Sequence, residues 1–524
     1  MGSFAMLLYT KELVAPRAQF RRGLLRFKRH PVREKYGRMV CHLFAHSTIH
    51  GMQHVSAERR PRVRFFWLMV VLLATISFLV MFSVLDHHHN EQQLVSIVET
   101  TQLPVYKIEF PAVAICPWNH VNWLRASRAA ERFLPHNTDA YAREAFHQLL
   151  IGMEQMTFGK FESLAEVSKR NLSSLAHLSI RKLASYLAYR CDELFEPGSC
   201  IFDETSYDCC DLFVPEYTEN GQCLVFNSLI SENSRKKKLF NEFYPLKLST
   251  AGEGSGLQFV LRMNDSFLRA GTEVPFAMNL MIKEPNEWSP HKRYHLYSNT
   301  ENLVSIDPMM VQTSTNTNKM HPKKRRCYFD NERNPNFPLT DMPYSRSNCI
   351  AACLQSSVLY HCRCTMPLFL PSIGYTRECS VLDFPCLYSH RDVFGYVKVD
   401  DQELYINDSR RGQFCMCPHS CNTKSYYTYL NVRQFIQPNT TERRQRRISA
   451  DIYYGRRVLT KIVTRLQYTF HDWVASFGGI LGLYVGASAL SFAELAHVLG
   501  QLLWSLFEDL CASFKTNKLR VNNI

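Results

Sequence analysis

Two uncharged runs of 21 residues, 65–85 (FFWLMVVLLATISFLVMFSVL) and 473–493 (WVASFGGILGLYVGASALSFA), bracket a stretch of 387 residues. About 20 residues rising 1.5 Å each cross the ~30 Å hydrocarbon core of a bilayer. The chain therefore reads as a membrane protein with two transmembrane helices and one large loop. The first run is rich in Leu, Val, Phe and Met and has no glycine, which suits a lipid-facing or scaffold helix. It lies 64 residues in and no small-residue cleavage site follows it, so it reads as an uncleaved signal anchor. The second run differs. It holds four glycines and three serines, with Gly478, Gly482 and Gly486 at every fourth position, and Glu494 directly after it. That spacing puts the glycines on one helical face where other helices can approach closely.

Charge sets the orientation. Residues 1–64 carry 14 Lys and Arg against Glu12, Glu34 and Glu58, a net +11. The 30 residues after Glu494 carry +1 and the remaining 430 only +2 of the total +14. Arg59, Arg60, Arg62 and Arg64 abut the first run, so the basic end is expected in the cytosol. Two spans then return the C-terminus to the same side. The expected organisation is a cytosolic segment 1–64, a span 65–85, an extracellular domain 86–472, a span 473–493 and a cytosolic tail 494–524. A basic juxtamembrane segment points to contact with anionic membrane lipid rather than to nucleic acid.

Cysteine usage speaks to the same topology. Sixteen of the 18 cysteines fall between the runs, with Cys41 and Cys511 outside them. That is the distribution of an oxidising loop between reducing ends. The four glycosylation sequons, Asn171, Asn264, Asn407 and Asn439, also lie in the loop.

Within the loop, residues 106–116 read as a strand, 120–190 as helical and 240–315 as a polar strand region. Residues 314–326 read as an exposed loop, and β-type sequence at 426–435 and 453–468 leads into the second run. The whole is an α+β domain. Ten cysteines from Cys327 to Cys421 are spaced palindromically: C-x3-C-x8-C-x-C inward, C-x-C-x3-C outward. A nested ladder would pair Cys327–Cys421, Cys349–Cys417, Cys353–Cys415, Cys362–Cys386 and Cys364–Cys379, although spacing alone does not fix connectivity. Zinc is the rival reading, but histidines at finger spacing are missing, so no metal site is assigned.

The chain resembles the degenerin/epithelial sodium channel superfamily, most closely its insect pickpocket branch. The resemblance covers residues 44–505. It is carried by FAHSTIHG (44–51), FPAVAICPWN (110–119), GQCLVFN (221–227), RRCYF (325–329), HCRCTMPLFLP (361–371) and SFGGILGLYVGASALSFAEL (476–495). Residues 120–220 match loosely. The resemblance implies a trimer with a hand-shaped ectodomain, the nested pairing above and a Cys116–Cys223 bridge. Cys191, Cys200, Cys209 and Cys210 stay unassigned, with adjacent Cys209 and Cys210 expected to take different partners.

It further implies that Gly486, Ala487 and Ser488 form the selectivity filter. Glycine and serine permit a helix break whose carbonyls and hydroxyls face a wet lumen. A small-residue packing face is the bland alternative. Ala475 falls at the degenerin position, where a small side chain permits closure, and Gly479 lies near the region linked to amiloride-type blockers. Ser476 stands where some relatives carry an acid. Asp472 and Glu494 are candidate pore-mouth acids that would concentrate cations. His50 and Gly51 match a cytosolic gating motif. The run His87, His88, His89 reads as a solvated interface, and residues 443–447 (RRQRR) as an exposed basic loop rather than a cleavage site.

Together these imply a subunit of a trimeric, non-voltage-gated, amiloride-sensitive sodium channel at the plasma membrane, sensory or epithelial, with sodium ions, related subunits and membrane lipid as partners. No arginine series of the voltage-sensor type lies in a span. No phosphate loop, HExxH or nucleophile elbow marks an enzyme, and no cofactor is implied. A non-conducting regulatory subunit or a cell-surface ligand-binding protein is the alternative reading.

Overall fold

The computed structural model describes residues 49–57, 60–91, 94–271, 277–289, 292–332, 337, 342–366, 368–370, 376–399, 411–434 and 445–521. The chain divides into two compact units, one of residues up to Gln93 together with Tyr468 onward, the other Leu94–Gln467.

In the first unit a short helix, Met52–Ala57, precedes a 31-residue helix, Pro61–Glu91. Proline opens the long helix, where its missing N–H costs no helical bond. Thr75 and Ser83 turn their hydroxyls back onto the carbonyls of Val71 (2.8 Å) and Leu79 (2.9 Å), which hides them from an apolar surrounding. After the large unit come two more helices, Phe470–Tyr484 and Ala489–Val521. Among the described residues, Pro61–Asn90 and Ala489–Glu508 are long and apolar enough to cross a membrane. The expected second span is therefore divided. Residues 473–484 belong to one helix, 485–488 are non-helical, and 489–493 begin a helix that continues well past Glu494.

The second unit is built on two sheets. Its strands are β1 Leu94–Pro104, β2 Ala112–Pro117, β3 Cys200–Phe202, β4 Thr205–Tyr207, β5 Phe213–Thr218, β6 Gly221–Phe226, β7 Leu257–Asn264, β8 Ala277–Lys283, β9 Tyr294–Tyr297, β10 Thr300–Thr313, β11 Thr423–Gln434, β12 Gln445–Tyr454 and β13 Val458–Leu466, with two minor pairs left unnumbered. The larger sheet runs β1-β13-β10-β12-β7-β3-β4, with β11 also on β10; the smaller runs β5-β6-β2-β8-β9. At 14 residues β10 is long enough to take two strands end to end on one edge. Residues 300–306 pair in parallel with β12 and 309–313 with β13, while β11 lies antiparallel along the other edge. β1 and β13 pair antiparallel with Leu94 opposite Leu466, so the two chain ends leave this unit side by side.

Burial follows position in the sheets. β7 alternates buried and half-buried residues, the period of a strand with one covered face, whereas every residue of β2 and β8 is buried. The core between the sheets is aromatic, with Phe110 edge-on to Phe202, Phe226 and Tyr454. The opposite face of the smaller sheet buries an ion pair. Lys283, at the end of β8, is 0% exposed and donates to Glu216 (1%) at 2.8 Å and to the Trp288 carbonyl at 3.1 Å. The same carboxylate accepts from the Ser228 hydroxyl and the Ser231 amide, so the buried charges are fully bonded.

A second core joins the helices Trp123–Phe133, Ala140–Glu154 and Ile180–Leu187 to a 17-residue helix, Arg346–Cys362, that the cysteine-dense sequence had concealed. Asn122, Asp139, Ser179 and Ser345 cap these helices through their side chains. Two expectations change here. The 314–326 loop contains two helical turns with Thr317 and Arg325 buried, because Arg325 donates to the carbonyls of Cys327, Thr317, Asn318 and Met320. Residues 445–447 of the basic loop lie in β12, paired with β7, with Arg446 and Arg447 bonded to Asp265 and Glu196.

Candidate functional site: the broken helix and the His-Gly turn

The interruption after Tyr484 is assembled from two opposed caps. The helix Phe470–Tyr484 ends as Val485 and Gly486 donate to the carbonyls of Leu481 (3.0 Å) and Gly482 (3.1 Å). Gly486 then takes φ +70°, a left-handed conformation that glycine adopts without a Cβ penalty. Two residues on, Ser488 caps the next helix. Its Oγ accepts from the Ser491 amide at 3.3 Å, and the Ser491 hydroxyl accepts from the Ser488 amide at 3.0 Å. Gly486, Ala487 and Ser488 are thus a stop, a spacer and a start. The carbonyls of Gly486 and Ala487 accept no bond among the described residues.

The His50–Gly51 turn meets this junction. The His50 amide donates to the Val485 carbonyl at 3.1 Å, and a Cβ built on Gly486 would fall 2.3 Å from the His50 ring. Gly51 sits at φ +82°, and a Cβ there would lie 2.8 Å from Val71 Cγ2 on the long helix. His54, one turn on, stacks on Trp67 with centroids 4.5 Å apart. Both glycines are required by conformation and by space.

An aromatic seam joins the first long helix to the helix before the break. Phe78 and Phe82 meet Phe477 edge-on at 6.2 and 5.7 Å, Phe82 meets Trp473 at 6.4 Å, and Trp473 stacks on Phe477 at 5.4 Å. Each helix offers its pair at i, i+4 spacing, one face of consecutive turns. Sequence reading overlooked this seam and the Ser488–Ser491 cap, although both spacings are visible in the chain.

A family model described as amiloride-sensitive sodium channel matches residues 43–498. The chain belongs to the amiloride-sensitive sodium channel family. The chain is 54% identical over 506 residues to pickpocket protein 19 of Drosophila melanogaster, covering 96% of this chain and 98% of that protein. It is 24% identical to sodium channel protein Nach of Drosophila ananassae, covering 88% and 86%, and 22% identical to pickpocket protein 11 of Drosophila melanogaster, covering 86% and 73%. The family is one of ion channels, not enzymes, and its members are integral membrane proteins with two spans.

Within this amiloride-sensitive sodium channel family member the other candidate residues fall as follows. Ala475 and Gly479 lie exposed on the helix before the break, and a Cβ at Gly479 would meet nothing within 4 Å. Gly478 and Gly482 are on that helix but Gly486 has left it, so the three glycines do not form one helical face. Asp472 closes a capping box: its carboxylate accepts from the Thr469 amide (2.9 Å) and hydroxyl (2.7 Å) while Thr469 caps the Asp472 amide. Glu494 is exposed in the second turn after the break. His88 bonds through Nε2 to the Tyr468 hydroxyl at 2.9 Å, so that histidine is part of the packing.

In the large unit Cys116–Cys223, Cys327–Cys421, Cys349–Cys417, Cys353–Cys415, Cys362–Cys386 and Cys364–Cys379 are bonded. The unassigned four close as Cys191–Cys210 and Cys200–Cys209, so the adjacent cysteines do take different partners. Cys362, Cys386 and His390 come close enough to suggest a metal cluster, but the two sulfurs are bonded to each other and cannot act as thiolate ligands. Asn171 and Asn264 are exposed, each accepting a backbone amide two residues on at 3.0 Å; Asn407 and Asn439 lie outside the described residues.

Proposed function

We propose that this chain is a pore-forming subunit of a trimeric, non-voltage-gated, amiloride-blocked sodium channel of the plasma membrane, with both termini cytosolic, serving a sensory or epithelial cell. The observation that carries the reading is the interruption at Gly486, Ala487 and Ser488. Non-helical backbone at membrane depth is stable where it lines a water-filled path, because its carbonyls then have water or ions to bond. Three copies around an axis would offer rings of carbonyls and Ser488 hydroxyls to a sodium ion in place of its hydration shell. Glu494 would add a ring of carboxylates below, drawing cations and repelling anions.

In this scheme Ala475 is the position at which bulk holds the pore open, Gly479 borders the blocker site, and the His50–Gly51 turn is the gating element. Asp472 serves mainly as a helix cap. Expression of Ala475→Val, alone and with related subunits, tests the reading. A constitutive sodium current blocked by amiloride is expected. Absence of current in every combination, with Ser488 substitutions silent in partnered channels, would overturn it and leave a non-conducting subunit.

A further inference from the structure

Between β6 and β7 the chain forms a nine-residue helix, Glu232–Phe240 (ENSRKKKLF), capped by the Ser231 side chain. Arg235, Lys236, Lys237 and Lys238 follow one another, and successive helical residues point about 100° apart, so they cannot all face outward. Lys237 is the one turned in. It is half-buried and donates to the backbone carbonyls of Asp211 and, at 3.4 Å, Leu212, with no carboxylate at ion-pairing distance among the described residues. Burial pulls its ammonium below the usual lysine range, a pull that the nearby Asp211 charge opposes. Lys236, by contrast, is exposed and paired with Glu232 at 2.9 Å.

Lys237 borders a cleft of about 550 Å³. The inner wall is apolar and fixed: Leu212, Phe226 and Tyr244 are buried, and the Tyr244 hydroxyl is taken up by the Ser228 carbonyl at 2.9 Å. The outer rim is apolar and unsupported. Phe240 is 90% exposed, and its neighbours Leu239 and Phe243 are each 82% exposed. Large apolar side chains this exposed beside a lone inward cation are costly to solvate and uncommon without a ligand or partner.

We propose that this cleft binds a small amphipathic anion, its hydrocarbon body against Leu212, Phe226 and Tyr244 and its carboxylate or sulfate on Lys237, with Phe240 folding over it. The volume suits a ligand of that size. A half-desolvated ammonium that holds only peptide dipoles gains most from a real counter-charge. A single negative charge fits best, because the Asp211 carboxylate lines the same rim. The site is independent of the pore and of whether the chain conducts.

Photolabelling of the full-length chain in membranes, with dodecanoate carrying a diazirine, tests the proposal by binding alone. Label is expected on peptides spanning residues 207–246, displaced by dodecanoate but not by acetate or dodecanol. Lys237→Gln should weaken labelling about tenfold, the loss of one charge-assisted contact. Lys237→Arg should retain it, with surface biotinylation confirming that both variants fold. Label mapping elsewhere, equal displacement by dodecanol, or unchanged labelling in Lys237→Gln would each overturn it. So would protection of Phe240 by a second copy of the chain, seen as label lost on assembly.

Discussion

The backbone amide of His50 donates to the carbonyl of Val485 at 3.1 Å, and its ring fills the space that any side chain at Gly486 would need. A turn more than 430 residues away in sequence thus holds the point at which the last helix breaks. Movement of one requires movement of the other. Gly486→Ala should therefore fail for two separable reasons, the left-handed φ, which costs about 1–2 kcal/mol for an L-residue, and the collision with the ring. His50→Ala should relieve the collision alone. A double-mutant cycle on Ala475→Val current, corrected for surface expression, should show partial rescue; strict additivity would mean that the two residues act independently.

The cap at the start of the last helix distinguishes a structural hydroxyl from an ion-facing one. Ser491→Ala removes the cap partner of Ser488 while leaving every residue of the proposed filter itself in place, at a cost of about 1 kcal/mol. If the cap shapes the filter, Ser491→Ala and Ser488→Ala should shift the reversal potential for sodium against potassium in the same direction. A shift confined to Ser488 would assign its hydroxyl to the ion directly.

Breaking the Lys283–Glu216 pair leaves a charge with nowhere to go. Lys283→Met should destabilise the large unit by about 3–5 kcal/mol, while Lys283→Met with Glu216→Leu should recover most of that. The measurement is thermal unfolding of the purified protein, with surface expression as a cellular readout.

Two buried groups give the large unit opposite pH responses. Burial, reinforced by Glu287 and Asp330, pushes the Glu284 carboxyl from 4.5 up to about 7, against the pull of the Lys424 amide and charge. The folded state then binds the extra proton, so this group's contribution falls as pH rises from 4.5 through 7. Burial and the Arg293 charge lower His120 from 6.5 to about 4, opposed by its bond to the Met156 carbonyl. There the unfolded state binds the proton, and stability is lost as pH falls from 6.5 through 4. Glu284→Gln should flatten the first slope and leave the second, as read from unfolding midpoints between pH 4 and 8. An unchanged profile would show that Glu284 does not titrate in this window.

Residue patterns that depend on the local chain were legible in advance. The first long helix, the strands leading into the final helices and the break residues Gly486 and Ser488 all carry their signals within a few positions. What escaped was set by distant neighbours. β1 (LVSIVETTQLP) is nowhere fully buried along its length, and its place as a strand is fixed by β13 beside it. Arg325 sits in a basic stretch that looks solvated, yet four carbonyls draw it inside. In Arg346–Cys362 the cysteine spacing speaks for pairing and masks the helical period. No residue near Gly486 announces that a histidine ring will rest on it.

The cysteine ladder has a further consequence. Cys349 and Cys353 stand one helical turn apart, rising about 6 Å, while Cys415 and Cys417 flank a tight turn in which the Cys417 amide donates to the Cys415 carbonyl at 3.0 Å. The helix presents its two sulfurs on one face and the turn presents its two close together, so both rungs close, with Cα atoms 5.8 and 6.0 Å apart. The helix and the turn behave as a clasp with two fasteners. The clasp holds the two ends of residues 363 to 414 together, so a change of length between them leaves their anchorage as it is.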